Sequence, residues 1–232
     1  MAKRGALAVL TLVLSFVFLF SGLVNAGTVS LDANVQASIA VIREMMDIPE
    51  NAIPPWLFHQ AHAIAIFPGL LKGGFLFAGS YGMGVVVERN AGGLWGNPVF
   101  FHLVGASFGF QAGVESTDAV LIFRSIRSVQ KLYQGRITLG ADASIAVGPD
   151  GRQVQADTDI QLRSEVLSYS KSKGLFGGVS FQGAILKMDY QDTVKFYNYP
   201  GVAPSDILHN SNLKVPRVAQ RLDQVLDWYS TH

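Results

Sequence analysis

The chain of 232 residues is 49% hydrophobic and only 15% charged, with a formal net charge of +1, 24 glycines and no cysteine. This excludes a disordered chain, and the missing cysteines exclude disulfides, cysteine-ligated zinc, iron–sulfur clusters and a thiol nucleophile. The near-neutral balance argues against a nucleic-acid partner, which needs a clustered cationic surface, while the glycines and the 11% of aromatic residues point to strands, bulges and tight turns.

Lys3 and Arg4 precede an almost unbroken apolar run from Ala6 to Phe20, and Val24-Asn25-Ala26 offers a small-residue exit. Residues 1–26 therefore read as a secretory signal peptide cleaved after Ala26, giving an exported protein of the periplasm or cell envelope. The alternative is an uncleaved membrane anchor, since the run to Val24 is nearly long enough to span a bilayer. Diacyl attachment is excluded because no cysteine follows. Losing two of the 18 basic residues leaves 16 against 17 acidic ones, a net charge of −1. Residues 27–232 read as one domain, without a linker rich in Pro, Ser or charge after residue 30 and stable through packing alone.

Leu31, Val35, Ile39, Ile42 and Met46 recur at helical spacing, which predicts an amphipathic helix over 31–48, ended by Pro49. Pro54 and Pro55 open a short second helix carrying Leu57, Phe58 and Ala61. The period then becomes that of β structure in 63–67, 73–89, 98–115 and 118–123. Ser125 as N-cap, Ile126, Val129 and Tyr133 at helical spacing, and Gly135 after them predict a two-turn helix. Strands are expected at 137–147, before the turn 148–151, and then at 161–170, 177–190 and 194–197. A last helix over 216–229 is opened by Pro216 and striped by Val218, Leu222, Val225 and Tyr229.

Glycines such as Gly79, Gly82, Gly84, Gly105 and Gly183 interrupt otherwise β-favouring runs, which predicts bulges and close backbone approach. The fold class expected is mainly β (α+β): a strongly curved antiparallel sheet, barrel-like or sandwich, with flanking N- and C-terminal amphipathic helices over an open edge or barrel mouth.

Four ordered segments carry a family resemblance: AIAIFPGLLKGGFLFAGSYGMGVVVER (63–89), GASFGFQAGVESTDAVLIF (105–123), ITLGADASIAVGPDGR (137–152) and LSYSKSKGLFGGVSFQGAIL (167–186). The chain resembles the SYLF domain family, found in bacterial envelope proteins and in eukaryotic proteins that link membranes to actin. The resemblance implies a lipid-binding domain, with affinity for phosphoinositides or other anionic lipids in eukaryotic members, and no enzymatic activity or cofactor. Family members often carry a basic residue after the Tyr-Gly of the first segment, where this chain has Met83.

Membrane association needs cations for anionic head groups, an apolar surface to enter the interface, or both. The residues that fit are Lys171 and Lys173, two apart and before Gly174, and Lys72, before Gly73-Gly74; Leu70, Leu71, Leu175 and Phe176 are the apolar neighbours. The alternative for each lysine is a solvated edge charge. The first helix carries Asp32, Glu44 and Asp47 against Arg43, a net −2 of the wrong sign for an anionic surface, so its stripe is expected to pack on the core.

Other motifs are weaker. Gly105-Ala106-Ser107-Phe108-Gly109 fits the G-x-S-x-G pattern of a serine esterase, but the period-2 pattern continues to Val114 where the elbow needs a helix. His59 and His62 share a helical spacing without a third metal ligand, and Asp142, Asp150, Asp157 and Asp159 lack calcium-loop spacing. A small outer-membrane β-barrel is the structural alternative, against which stands the helical end of the chain.

Overall fold

In the computed structural model, residues 30–47, 53–74, 78–90, 92–107, 113–149, 163–172, 175–177, 181–201, 203, 206–207 and 213–231 are described. The signal-peptide reading of 1–26 falls outside them. The elements in chain order are α1 (Leu31–Met46), α2 (Pro55–Gln60), β1 (Ala63–Gly74), β2 (Ala78–Glu88), β3 (Val99–Ser107), β4 (Gly113–Phe123), α3 (Ile126–Tyr133), β5 (Arg136–Thr138), β6 (Ile145–Val147), β7 (Val166–Ser172), β8 (Leu175–Gly177), β9 (Ile185–Met188), α4 (Tyr190–Tyr197) and α5 (Arg217–Thr231).

The strands form one sheet in the order β5-β9-β3-β2-β1-β4-β7-β6, with β8 added against β7. Every pairing is antiparallel except β6 with β7, which is parallel, so the sheet is mixed where an antiparallel one was expected. The edge strands β5 and β6 are consecutive in the chain, and a bridge between Leu139 and Ala143 links the segments leading from one to the other. A sheet whose two edges are joined by so short a connection must curl strongly. The expected barrel-like curvature is thus present.

Both faces of the central strands are buried, which explains the continuous apolar runs 63–67 and 119–123. Phe67, Phe101, Leu121 and Phe123 fill the inside of the curl. Ile64, Ile66, Val85 and Phe100 point the other way, against α1, α2 and α5. The terminal helices therefore sheathe the outer face of the sheet rather than an open edge or mouth, because that face is as apolar as the interior. A lipid-facing barrel would leave it bare. On α1, Val35, Ile39, Ile42 and Met45 are fully buried, so its stripe packs on the core. Trp95 Nε1 donates to Ser230 Oγ at 2.9 Å and fastens the end of α5 to the β2–β3 connection. No helix among the described residues is long and apolar enough to cross a membrane.

Several boundaries moved. Gly73 and Gly74 end β1 rather than opening β2, and β3 stops at Ser107 before β4 starts at Gly113. The expected strand 137–147 is two short strands around a turn: Asp142 Oδ2 accepts from Thr138 N at 2.8 Å, and Gly140 has φ +86°. That turn gives Asp142 a structural role, and its carboxyl lies below the usual range because the backbone N–H of Thr138 and then the Lys131 ammonium stabilise its charge. Of the expected strand 177–190, Gly177 ends β8, Ile185–Met188 form β9, and Asp189 and Tyr190 belong to the start of α4. Residues 194–197 are helix, not strand: Asp189 caps α4 by accepting from Asp192 N at 2.9 Å, and Thr193 and Tyr197, one turn apart, are both buried.

Candidate functional site

The expected site residues are not gathered into one patch. Along the inner face at one end of the sheet, Lys72 on β1 lies opposite Glu115 on β4 and Ser80 on β2. Its ammonium sits 5.6 Å from the centre of the Phe181 ring. Burial pulls the Lys72 pKa below the ordinary value, and the Glu115 charge opposes that pull. Lys171 faces outward and is bound to Glu44 of α1 at 3.0 Å, with its side chain 15% exposed. Lys72 and Lys171 thus lie on opposite faces. Leu70 is fully buried inside the curl and cannot enter an interface, because the bulge in β1 turns it inward; Leu71 points outward and is 55% exposed. Lys173 lies outside the described residues. Leu175 and Phe176 belong to β8, at the same end of the sheet as Lys72, since β4 pairs β1 at Glu115–Lys72 and β7 at Thr117–Ser172.

The register reveals a surface that sequence reasoning missed. Leu71, Tyr81 and Val104 are direct neighbours across β1, β2 and β3, and they are 55%, 55% and 45% exposed. The row continues to the half-buried Ile185 on β9. Beside it, Arg136 on β5 and Lys187 on β9 stand directly opposite each other, both exposed. Neither has an ion-pair partner among the described residues. Like charges placed opposite each other in a sheet cost stability, so this pair is not explained by folding. Within the face, Tyr81 stacks on His102 with ring centres 5.6 Å apart, and His102 Nε2 lies 2.7 Å from Asp189 Oδ2. The only sequence signal for this surface is that each member is an outward residue of an alternating strand. Which strands adjoin is decided by topology.

The weaker motifs are placed as follows. Ser107 is the last residue of β3, opposite Ala78, and the next described element is the strand β4. His59 and His62 line a cleft at the opposite end of the sheet. No group of three or more histidines or carboxylates arranged to hold a metal occurs among the described residues. Asp150, Asp157 and Asp159 lie outside them.

The described residues form a β-rich domain: a curled sheet sheathed by terminal helices, with an exposed apolar and cationic face. The comparisons make this specific. The family model Ysc84, described as "Las17-binding protein actin regulator", matches residues 104–229. Protein YSC84 of Saccharomyces cerevisiae is 38% identical over 181 residues, covering 77% of this chain and 38% of the yeast protein. SH3 domain-containing YSC84-like protein 1 is 33% identical over 183 residues in Xenopus laevis, covering 78% of this chain and 54% of that protein. The human protein of the same name is 31% identical over 207 residues, covering 87% and 60%. The chain belongs to the Ysc84 (SYLF) family. It spans from about two fifths to three fifths of the length of these relatives.

Proposed function

We propose that this protein is a non-enzymatic, exported lipid-binding module of the cell envelope that adheres to anionic membrane surfaces through the outer face of its sheet. The observation that carries the reading is the exposed row Leu71–Tyr81–Val104 ending beside the unpaired cations Arg136 and Lys187. An apolar strip with adjacent cations is the combination that interfacial binding needs, each cation contributing about 1 kcal/mol near an anionic surface. Lys72 and the strand of Leu175 and Phe176 lie at the same end of the sheet, Lys72 on its inner face, whereas Lys171 is held by Glu44 and Leu70 is buried. Residues 1–26 support export. Phosphoinositide-like head groups are one anionic ligand such a face would take; a bacterial envelope offers others. The family description names a Las17-binding actin regulator, so a protein partner on the same face is the second reading.

Co-sedimentation with vesicles of graded anionic content tests the lipid reading. The Arg136→Glu/Lys187→Glu variant is expected to bind anionic vesicles at least tenfold more weakly, and Leu71→Asp/Tyr81→Asp to lose binding to all vesicles. Equal binding to neutral and anionic vesicles, unchanged in both variants, overturns the reading and leaves the face to a protein partner.

A further inference from the structure

We propose that the cleft at the other end of the sheet is a recognition site for a small organic phosphate monoester. The cleft, with a volume of about 900 Å³, falls within the size range of small-molecule sites. Its wall holds Arg89, Arg124, His59 and His62, and its one lining carboxylate, Glu88, accepts the Tyr133 hydroxyl.

Arg89, His62 and Arg124 come from adjoining strand ends at this cleft. Arg89 N donates to His62 O at 2.8 Å, so the β1–β2 register continues one step as His62–Arg89, while His62 N donates to Phe123 O, the residue before Arg124. Adjacent strands are about 4.8 Å apart, so Arg89 and His62 leave neighbouring strand ends side by side.

Arg89 is fixed in place before any ligand arrives. Its Nε donates to Gly93 O at 2.6 Å, its Nη1 donates to Phe58 O and His59 O at 3.1 and 3.0 Å, and its guanidinium lies 5.6 Å from the centre of the Trp95 ring. All of these acceptors are neutral. Among the described residues Arg89 forms no ion pair, and its Nη2 carries no hydrogen bond. A positioned guanidinium with one open edge suits an oxyanion, and holding it beforehand removes ordering cost from binding. A phosphate monoester has three terminal oxygens to distribute among a guanidinium, an imidazole and the Gln60 or Gln130 amides, where a carboxylate has two. Ile126, 59% exposed, offers an apolar ledge for the organic part.

The phosphate could be carried by a free metabolite or by a lipid head group, and two probes separate these: glycerol 3-phosphate in solution, and vesicles containing phosphatidic acid. Arg89→Gln would also remove three carbonyl bonds, so the test variant is Ile126→Glu, which places a negative charge at an exposed position of the wall. Amide shifts of the purified protein are expected to respond saturably to glycerol 3-phosphate, but not to glycerol, over 59–62, 88–93 and 124–130, with Kd at least tenfold higher in Ile126→Glu. A response of these amides to phosphatidic acid vesicles alone also supports the site and assigns the phosphate to lipid. No response of the cleft to either probe, shifts centred elsewhere, or equal affinity in Ile126→Glu overturns it. Ile126→Glu leaves the Leu71–Tyr81–Val104 face untouched, so failure here is distinguishable from failure of the membrane reading.

Discussion

Gly84→Ala is expected to lower stability by about 3 kcal/mol or more, seen as a fall in the midpoint of urea unfolding with the m-value unchanged. β1 carries one extra residue between Ile66 and Leu71 relative to β2, and a matching irregularity against β4 between Phe67 and Leu70. Gly69 within this bulge has φ +59°, and its N–H donates to Asp118 Oδ1 at 2.8 Å. The bulge pushes β1 toward β2, so a Cβ on Gly84 would drive into the Ile66 carbonyl oxygen and lie 2.6 Å from the Phe67 ring. Because the obstruction includes backbone, no rotamer change relieves it. Gly79→Ala is the contrast: the nearest atom to its Cβ is Gly105 O at 3.7 Å, an ordinary contact, and the change is expected to stay within about 0.5 kcal/mol. Equal effects at the two positions would show that the bulge does not set the strand spacing.

Asp223→Asn is expected to stabilise the protein at pH 8.5 and not at pH 4. Asp223 sits on α5, half-buried, one turn before Asp227, and its Oδ1 lacks a hydrogen-bond partner among the described residues. Burial, and then the Asp227 charge, push its carboxyl up to about 8. The neighbouring Tyr197 hydroxyl donates to Pro98 O at 2.7 Å, and its own pKa is raised by burial and then by Asp223. The unfolded chain loses the Asp223 proton as pH rises through about 4, whereas the folded chain keeps it until about 8. Over that interval the native state binds more protons, so stability declines with rising pH and levels off above 8. Four pH units would correspond to roughly 5 kcal/mol, and partial solvent access reduces the expected effect to about 2 kcal/mol. For a chain of this size that is a gain of roughly 4–8 °C in Tm for Asp223→Asn at pH 8.5, shrinking to nothing at pH 4. Parallel Tm curves for the two proteins would exclude a buried, raised carboxyl.

The parts of the fold legible in the sequence are those whose cause is local. The stripes of α1 and α5, the prolines that open α2 and α5, and the Ser125 to Gly135 frame around α3 all lie within a few residues of one another, and each gave an element close to the one observed. Strand boundaries were less legible, because alternation continues through a turn: Asp142 and Gly140 divide one expected strand into β5 and β6, and Asp189 converts an expected strand into α4. The site followed the same division. Lys171 stands two residues from Lys173, a spacing that suggests one shared face, but its partner Glu44 lies on a helix far away in the chain. Leu70 and Leu71 are equally apolar neighbours, and a one-residue bulge buries the first and exposes the second.

The sequence by itself determined the family, the β-rich class, the terminal helices and the need for close strand contacts, since apolar period, caps and glycine placement are written in adjacent residues. Only the tertiary structure decided what the helices cover, which lysines are already occupied, and which residues from separate strands meet. The row Leu71–Tyr81–Val104, the opposed pair Arg136 and Lys187, and the neighbours Arg89 and His62 exist only through strand order and register. Cross-strand neighbours lie about 5 Å apart in space however far apart they are in the chain, so local sequence pattern does not reveal which side chains meet.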